Sequence, residues 1–389
     1  MKNISLKKKL FILFIAIFFF SIHLSTTAYV NSSLIESWGV SNSIMSMVYT
    51  ISSIITIIGL LYIPRINKIM TRRKLTLFFI ISIILCVIGL LYIKDIFLLL
   101  SIMIIFLSIR SFVVFQNDIL LEHVSEEKYI GRIRGALIVL ASTAWGFGPL
   151  VSGYFIDYFS IEVVYWLGLV AALVPLFIFF FFFKKEENKK QNIHSIKKMY
   201  QELFKDRNLL YVFFISLGIN IFYALSIIYI PLHLHSFIGF DWSEIGGLLL
   251  ISQIPFIFFA YPIGKIADSY IGEQEIIITG VLISILSLIG MIFTKSSNFV
   301  AWALLLFTSR VGMSFLDTGC ETYFYKKIKK DDSEKIAVQR NTFPLSYLLI
   351  SGIGIIIGIF TESYVPFFVI GIISFIIILY PAFKIEDTL

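Results

Sequence analysis

The stretch GKIADSYIGEQEI, residues 264–276, joins two long apolar segments and has a counterpart earlier in the chain. Shifting the sequence by about 200 residues aligns it with IPRINKIMTRRKL, residues 63–75. The same shift aligns polar residues in several apolar segments; the pairs are Asn67 with Asp268, Thr71 with Gly272, Arg110 with Arg310, Asn117 with Asp317 and Tyr29 with Tyr229. Only two arginines lie inside apolar segments, and chance would rarely place both in register. The sequence therefore predicts two related halves.

The composition excludes several classes of protein. Of 389 residues, 58% are hydrophobic and 15% are charged, whereas soluble proteins are about a quarter charged. This composition excludes a water-soluble enzyme. The 40 Phe and only 9 Pro exclude a disordered chain, and the alternating pattern of a membrane β-barrel is absent. Cys86 and Cys320 lie far apart in apolar runs, which predicts neither a disulfide nor a metal site.

Twelve segments are apolar enough to cross a membrane, which takes about 20 residues per helix. They lie at 10–30, 43–63, 75–93, 96–117, 135–156, 161–183, 209–232, 245–263, 276–294, 298–318, 340–361 and 364–383. Six precede a charged middle stretch and six follow it. We therefore predict an all-α membrane protein with twelve transmembrane helices in two pseudo-symmetric six-helix bundles.

The basic residues predict the orientation. If both termini are cytoplasmic, 28 of the 32 Lys and Arg residues fall on the cytoplasmic side. The outer loops hold only Lys94 and Lys295, and the remaining two are Arg110 and Arg310. By the positive-inside rule, we expect a multi-pass protein of the inner or plasma membrane with both termini cytoplasmic. Reading the first segment as a cleaved signal would leave eleven crossings and contradict this charge distribution.

The predicted organisation has three parts: residues 1–183 as an N-terminal six-helix bundle, 184–208 as a cytoplasmic linker, and 209–389 as a C-terminal bundle. Within the linker, apolar side chains recur at helical spacing, namely Ile193, Ile196, Tyr200, Leu203 and Phe204. This spacing favours a short amphipathic helix on the membrane surface. A solvated tether is the alternative.

Motifs in the turns and helices resemble those of the major facilitator superfamily over essentially the full length of the chain. Gly264, Asp268 and Gly272 follow the family's Gly-x-x-x-Asp-x-x-x-Gly turn, and GRIRG, residues 131–135, looks like the loop before helix 5. Arg110 resembles the arginine of helix 4. The turn after helix 2 keeps Arg-Arg-Lys at 72–74 but replaces the acid with Asn67 and the glycine with Thr71.

Helix 5 is similar to the exporter pattern of that superfamily, and the resemblance implies export rather than import. Its residues are Gly135, Ala144, Gly148, Pro149, Ser152 and Gly153. Ala144, Gly148 and Ser152 form a smooth stripe at four-residue spacing, which lets a neighbouring helix approach closely. Pro149 removes one backbone donor and bends the helix.

Charged groups inside apolar segments are candidates for a transport pathway, because an arginine at the centre of a membrane helix costs about 2.5 to 3.5 kcal/mol. Arg310, Asp317 and Glu321 share one face of helix 10, and helix 4 repeats the design with Arg110, Asn117 and Asp118. We expect the arginines to attract anionic or hydroxyl-bearing groups. For Asp118 and Glu321, we favour a salt bridge near the cytoplasmic end, and for Asp317 both readings stay open.

In the superfamily, helices 1, 4, 7 and 10 line the central cavity, so polar residues there become candidate substrate contacts. They are His23, Tyr29 and Asn31 in helix 1 and Asn220, Tyr223 and Tyr229 in helix 7, with Gln253 in helix 8. His23 suits proton relay, although a satisfied packing histidine is an equal alternative. Helix 1 has no acid before Glu36, unlike that of many proton-coupled relatives.

Charges at the cytoplasmic turns suggest a gate. We expect Arg72, Arg73 or Asp268, together with Gly264 and Gly272 of the turn, to contact the other bundle and hold an outward-open state. Charges that only set the topology are the alternative for the basic residues.

The expected function is a secondary active transporter that exports small organic molecules, sugar-like or amphipathic, by alternating access coupled to protons. An uptake symporter and a non-transporting sensor are the alternatives. The five histidines supply no nucleophile–base pair or metal cluster, so we expect no enzyme, no metal and no cofactor. The expected partners are a small-molecule substrate, protons and the lipid bilayer, without nucleic acid, and the expected state is a monomer.

Overall fold

The computed structural model describes residues 6–124, 130–183, 194–267, 272–328, 332–361 and 363–386. These residues form α-helices and short connections, with no strand among them. The helices are α1 (Leu6–Ala28), α2 (Asn31–Ser37), α3 (Asn42–Ile69), α4 (Arg72–Tyr92), α5 (Ile96–Val124), α6 (Ile130–Tyr158), α7 (Ile161–Phe181), α8 (Ile196–Lys205), α9 (Arg207–His233), α10 (Trp242–Ala267), α11 (Glu273–Phe293), α12 (Phe299–Lys327), α13 (Ser333–Arg340), α14 (Thr342–Phe360) and α15 (Val365–Lys384). A π-helical turn, Leu234–Ile238, extends α9.

Twelve helices in the described ranges have the length and apolar composition needed to cross a membrane, so the predicted count is confirmed. They are α1, α3 to α7, α9 to α12, α14 and α15. Several run beyond their predicted ends; α5, for example, continues to Val124 rather than stopping at residue 117. The apolar pattern marks only the part of a helix that meets hydrocarbon, while backbone hydrogen bonding continues past it.

The helices pack as two bundles with the same internal arrangement, as the predicted fold requires. In the first half, α1 contacts α5, α6 and α7, while α3 and α4 contact α5. In the second half, α9 contacts α12, α14 and α15, while α10 and α11 contact α12. The halves meet where α6 packs on α10 and α3 packs on α14, two interfaces that exchange under the same pseudo-symmetry. Bundle boundaries at residues 183 and 209 stay a prediction.

The helical body has two ends: the linker end, where α4, α9 and α11 begin, and the far end, where α1 ends and α7 begins. Polar contacts join helices at both ends. At the linker end, Arg73 at the start of α4 donates to the Phe179 carbonyl near the end of α7, 2.8 Å away. Lys326 at the end of α12 pairs with Glu273 at the start of α11, at 2.9 Å. At the far end, Tyr165 near the start of α7 donates to Asn31 just after α1, 2.7 Å away.

The outer surface is apolar and polar side chains are buried, which reverses the distribution of a soluble protein. Phe97, Phe293 and Phe360 are each more than three-quarters exposed, while His23 and Ser314 are fully buried. Such a surface is suited to lipid, and the buried polar groups lie between helices.

The linker helix α8 packs against α9 and α13 through Met199 and Leu203, both buried. Just before it, the Arg65 Nη2 of α3 donates to the His194 carbonyl at 2.7 Å. Burial raises the pKa of Tyr200 on α8, whose hydroxyl accepts a hydrogen bond from Asn341 Nδ2 at 3.3 Å. Of the predicted helical positions, Ile193 lies outside the described residues; contact of α8 with a membrane surface stays a prediction.

Candidate functional site

A two-lobed chamber lies between the halves. One lobe of about 400 Å³ is lined mainly by α1, α3 and α5, and a second of about 330 Å³ mainly by α6 and α9, with α12 supplying its charged residues. The lobes share walls that include Trp145 of α6, Asn220 of α9 and Arg340 at the end of α13. Since both halves contribute to each lobe, a bound molecule would contact both bundles.

Arg110 lines the first lobe from α5 and is 8% exposed. Its Nη2 donates to the Leu24 carbonyl of α1 at 2.9 Å, and its guanidinium lies 5.1 Å from the Phe106 ring centroid. Within the described part of the chain it has no carboxylate within ion-pair distance. The titratable side chains around it are the phenols of Tyr49, Tyr165 and Tyr347 and the imidazole of His23.

Arg310 occupies the matching position on α12, lines the second lobe and is 3% exposed. Its guanidinium lies 5.3 Å from the Phe222 ring centroid and 5.4 Å from that of Tyr223. Among the described residues, it makes neither a hydrogen bond nor an ion pair. Cation–π attraction of this kind is worth about 2 kcal/mol when desolvated, less than a full set of hydrogen bonds would supply.

The predicted register of the two arginines therefore corresponds to one arginine in each lobe. Because α5 and α12 hold equivalent places in their bundles, the repeat carries both guanidinium groups to the same depth of the fold. A role for either in a transport pathway stays a prediction.

Asp317 lies on the Arg310 face of α12, half-buried in the second lobe. Its Oδ2 accepts a hydrogen bond from the Tyr223 hydroxyl at 3.0 Å. No described cation lies within 4.0 Å of it, so this carboxylate stays open to the chamber. A group in this position can bind and release a proton.

Asp118 and Glu321 both contact Arg340, which binds the two acids from opposite sides. Arg340 Nε lies 2.9 Å from Asp118 of α5, and its Nη1 lies 2.8 Å from Glu321 of α12. We call these three residues the Arg340 clamp. The clamp joins the two halves at the linker end of the chamber, an arrangement that matches the salt bridge favoured for the two acids.

Other predicted pathway residues divide into two groups. Six line the chamber: Tyr29, Asn31, Asn117, Asn220, Tyr223 and Gln253. The buried Oδ1 of Asn117 has no hydrogen-bond partner. Tyr229 is not among the lining residues; its ring stacks on Phe367 at 3.6 Å between centroids.

His23 is fully buried between α1 and α7 and lines neither lobe. Its Nδ1 lies 2.9 Å from the Gly168 carbonyl, and its Nε2 has no partner. The residues of α1 that line the first lobe lie at 17, 20, 21, 24 and 28, a face from which position 23 is turned away. This position favours the packing alternative, although a role in proton relay is untested.

The small residues of α6 let α1 approach closely. A Cβ on Gly148 would lie 2.8 Å from the backbone carbonyl carbon of Ser25. Ser25 Oγ donates to the Ala144 carbonyl at 2.8 Å, and Ser152 Oγ donates to the Thr26 carbonyl at 2.7 Å. The stripe thus packs within the first half. Gly135 lies in the first turns of α6.

A second face of α6 meets α10 across the halves near the far end. A Cβ on Gly153 would collide with the Trp242 carbonyl, and one on Gly246 would lie 2.7 Å from the Pro149 carbonyl oxygen. Ser243 N donates to Asp157 Oδ2 at 2.7 Å. Backbone therefore contacts backbone at this interface.

The predicted gating residues lie near the linker end. Arg73 contacts α7 of its own half rather than the other bundle, and half-buried Arg72 begins α4. Gly264 lies in α10, Gly272 precedes α11, and Asp268 lies outside the described residues. In this structure the clamp supplies the charged contact between the halves.

Arg340 lines both lobes, but the sequence predicts no site role for it. It lies at the boundary between a charged connection and the eleventh apolar segment, so its charge counts toward the predicted orientation. The available signal was its place as the first residue of that segment.

One group of side chains in the described ranges has the geometry to hold a cation. Ligand atoms of His194, Glu202 and Glu334 lie within 4.8 Å of one another. His194 Nδ1 lies 2.8 Å from Glu334, while Lys198 lies 3.6 Å from Glu202 and competes for it. The fold alone brings them together, so no metal spacing is visible in the sequence.

Comparison with solved structures gives three full-length transporters of the same fold. The human organic anion transporter MFSD10 (TETRAN) is 12% identical with a TM-score of 0.71, over 99% of this chain and 100% of that one. A mutant of the nucleoside transporter NupG is 13% identical with a TM-score of 0.71, covering 98% and 100%. A POT family transporter in complex with a thioalcohol conjugated peptide is 14% identical with a TM-score of 0.75, covering 98% and 97%.

No curated protein sequence matches the chain. The sequence model of the Major Facilitator Superfamily matches residues 10–337, most of the chain. The repeat, the twelve crossings and the chamber between the halves agree with that match. This protein is therefore a member of the Major Facilitator Superfamily.

Proposed function

We propose that the protein is a secondary active transporter that moves small organic molecules by alternating access, coupled to protons. The observation that carries the proposal is the shared chamber, with Arg110 in one lobe and Arg310 with Asp317 in the other. Charged groups persist in a membrane interior mainly where they face a cavity or a pathway. Asp317 is the proposed proton carrier.

The contacts between the halves suit a rocking motion about the chamber. At the linker end, the halves are joined by the Asp118–Arg340 contact. Elsewhere they meet along α6 with α10 and α3 with α14, where Thr50 and Ser351 are 2.9 Å apart. Breaking the clamp while these helices pivot would open the linker end, and re-forming it would close that end.

Two directions of transport are supported by different observations. Export is favoured by the resemblance of α6 to the exporter pattern and by its close packing on α1. Uptake by symport is favoured because Arg310 and Asp317 line the same lobe, where substrate and proton can be bound together. We further propose a monomer in the inner or plasma membrane with cytoplasmic termini, on the distribution of basic residues.

The chamber walls suggest the size and polarity of the substrate. Tyr29, Trp145 and Tyr347 supply aromatic surface, and Asn220 and Gln253 supply amides. The three structural relatives are described as handling an organic anion, a nucleoside and a peptide, so the shared fold does not select among them. Sugar-like or amphipathic small molecules fit aromatic and amide walls of this kind.

The test is transport by purified protein in liposomes with an imposed pH step, assayed against a panel of sugars, amphipathic drugs and organic acids. We expect flux of at least one compound that depends on the pH step. Arg110→Ala and Arg310→Ala should abolish it, whereas Arg207→Ala, an exposed arginine outside the chamber, should not. No flux for any compound would support the non-transporting sensor instead.

A further inference from the structure

Equal numbers of described cations and anions line the chamber, but not every one of them has a partner of opposite charge. Among the described residues, three guanidinium groups and three carboxylates line the two lobes: Arg110, Arg310, Arg340, Asp118, Asp317 and Glu321. With all six ionised, their formal charges sum to zero. The Arg340 clamp combines one of these cations with two of these anions.

The remaining three groups are Arg110, Arg310 and Asp317, and among the described residues none of them forms an ion pair with another. Arg110 donates one hydrogen bond, to a backbone carbonyl, and Arg310 is held only by aromatic faces. Asp317 faces Tyr223 from α9, and Arg310 and Glu321 on its own helix, with Arg340 beyond. A buried cation without a partner is costly, so each guanidinium is prepared for an anion that the described chain does not provide.

Unpaired acceptors accompany these cations. Asn117 Oδ1 in the first lobe and Gln339 Oε1 in the second are buried and lack a hydrogen-bond donor. A ligand with hydroxyl or N–H groups would satisfy them, because a buried acceptor loses its bonds to water without replacement.

We propose that the chamber binds an organic anion that also carries hydroxyl or N–H groups, and that one proton binds Asp317 together with it. The acidic group of the ligand lies between Arg110 and Arg310, and its donors reach Asn117 and Gln339. The Asp317 carboxylate takes the proton from water, and no bond of the ligand changes.

Charge neutrality supplies the coupling. A monoanion added to the ionised chamber would leave one negative charge in a low-dielectric space, whereas protonation of Asp317 restores zero. The anion and the proton therefore favour each other's binding. This inference rests on the transporter function proposed above and, of the two directions, fits symport.

The first experiment uses the purified full-length protein without any substitution. Gluconate, glucose 6-phosphate and mandelate are titrated in weakly buffered solution with a pH indicator, beside the neutral compounds glucose and mandelamide. We expect at least one anion to bind, its neutral counterpart to bind roughly tenfold or more weakly, and about one proton to be taken up per monoanion bound. Equal binding of the neutral compound, no binding of any anion, or anion binding without proton uptake would overturn the proposal.

Variants assign the groups. Arg110→Gln and Arg310→Gln should each weaken anion binding roughly tenfold or more, while Arg207→Gln leaves it unchanged. Asp317→Asn should bind the anion without proton uptake and without dependence on pH. If a glutamine variant fails to fold, Arg310→Lys, which keeps the charge, should retain anion selectivity.

The outcomes separate this inference from the proposed function. Anion binding with proton uptake but no flux in liposomes would support the inference and remove the transport function. Flux of neutral compounds without anion binding would support the transport function and overturn the inference.

Discussion

Arg340 Nε lies 2.9 Å from Asp118 Oδ2, and this contact joins residues 222 positions apart in the two halves of the protein. The same guanidinium pairs with Glu321 of its own half. One arginine thus makes one contact between the halves and one contact within the second half.

This arrangement makes Glu321 a matched control for Asp118. We expect Asp118→Asn to shift the protein toward a state open at the linker end, because it removes the contact between halves. Glu321→Gln should lower stability without that shift. Each substitution should cost about 1 to 3 kcal/mol, less than a fully buried pair, since Arg340 is 29% exposed.

The shift can be measured with spin labels on the exposed residues Lys74 and Arg207, placed near the linker ends of α4 and α9. A longer distance in Asp118→Asn than in Glu321→Gln is the expected result. Equal distance distributions in both variants would show that the clamp does not control this end.

Gly148 should be intolerant of any side chain. A methyl group there would lie 2.0 Å from Ser25 Oγ and 2.8 Å from its carbonyl carbon, so α1 and α6 must separate. We expect Gly148→Ala to destabilise the protein by about 1 to 3 kcal/mol. Gly352→Ala is the control, because nothing lies within 4 Å of its added Cβ. Thermal unfolding in detergent measures both; equal midpoints would contradict the close packing.

Asp317 should be accessible to water although it lies within a helix long and apolar enough to cross a membrane. In a background with Cys86 and Cys320 replaced by Ser, we expect Asp317→Cys to react with a charged, membrane-impermeant thiol reagent. Leu304→Cys on the same helix should stay unreactive, since Leu304 is 62% exposed but faces the apolar exterior. Reaction of Leu304→Cys but not of Asp317→Cys would contradict the position of the chamber relative to α12.

Glu334 should hold the linker helix in place. It accepts hydrogen bonds from both the backbone N–H and the ring of His194, at 2.5 and 2.8 Å. Glu334→Gln should therefore raise hydrogen exchange of the α8 amides severalfold. Glu202→Gln should have less effect, because Glu202 is 42% exposed and lies 3.7 Å from His194. If the two variants exchange alike, the Glu334 contact does not anchor α8.

The sequence predicted the fold well because the membrane imposes it. Each crossing needs an apolar run, and the twelve runs stand out from the charged connections. The alignment of Arg110 with Arg310 also holds in the structure, because the repeat places them at equivalent positions of α5 and α12. Periodicity alone could not identify which neighbour each helix face meets, which is why His23 was grouped with Asn31 although only Asn31 lines the chamber.

Contacts between distant elements were beyond prediction. Arg340 reads as a loop charge until the fold places it between α5 and α12, and His194 meets Glu334 across 140 residues. No local pattern specifies these pairs, because each depends on how the two bundles are joined.

The two glycine faces of α6 also bear on how fast the protein can cycle. Gly148 brings α6 against α1 of its own bundle, while Gly153 and Gly246 bring backbone against backbone where α6 meets α10. Resistance to movement at this interface between α6 and α10 is set by carbonyl and Cα atoms rather than by interlocking side chains. Substitutions along the interface should then change turnover, while the binding chamber and its selectivity stay the same.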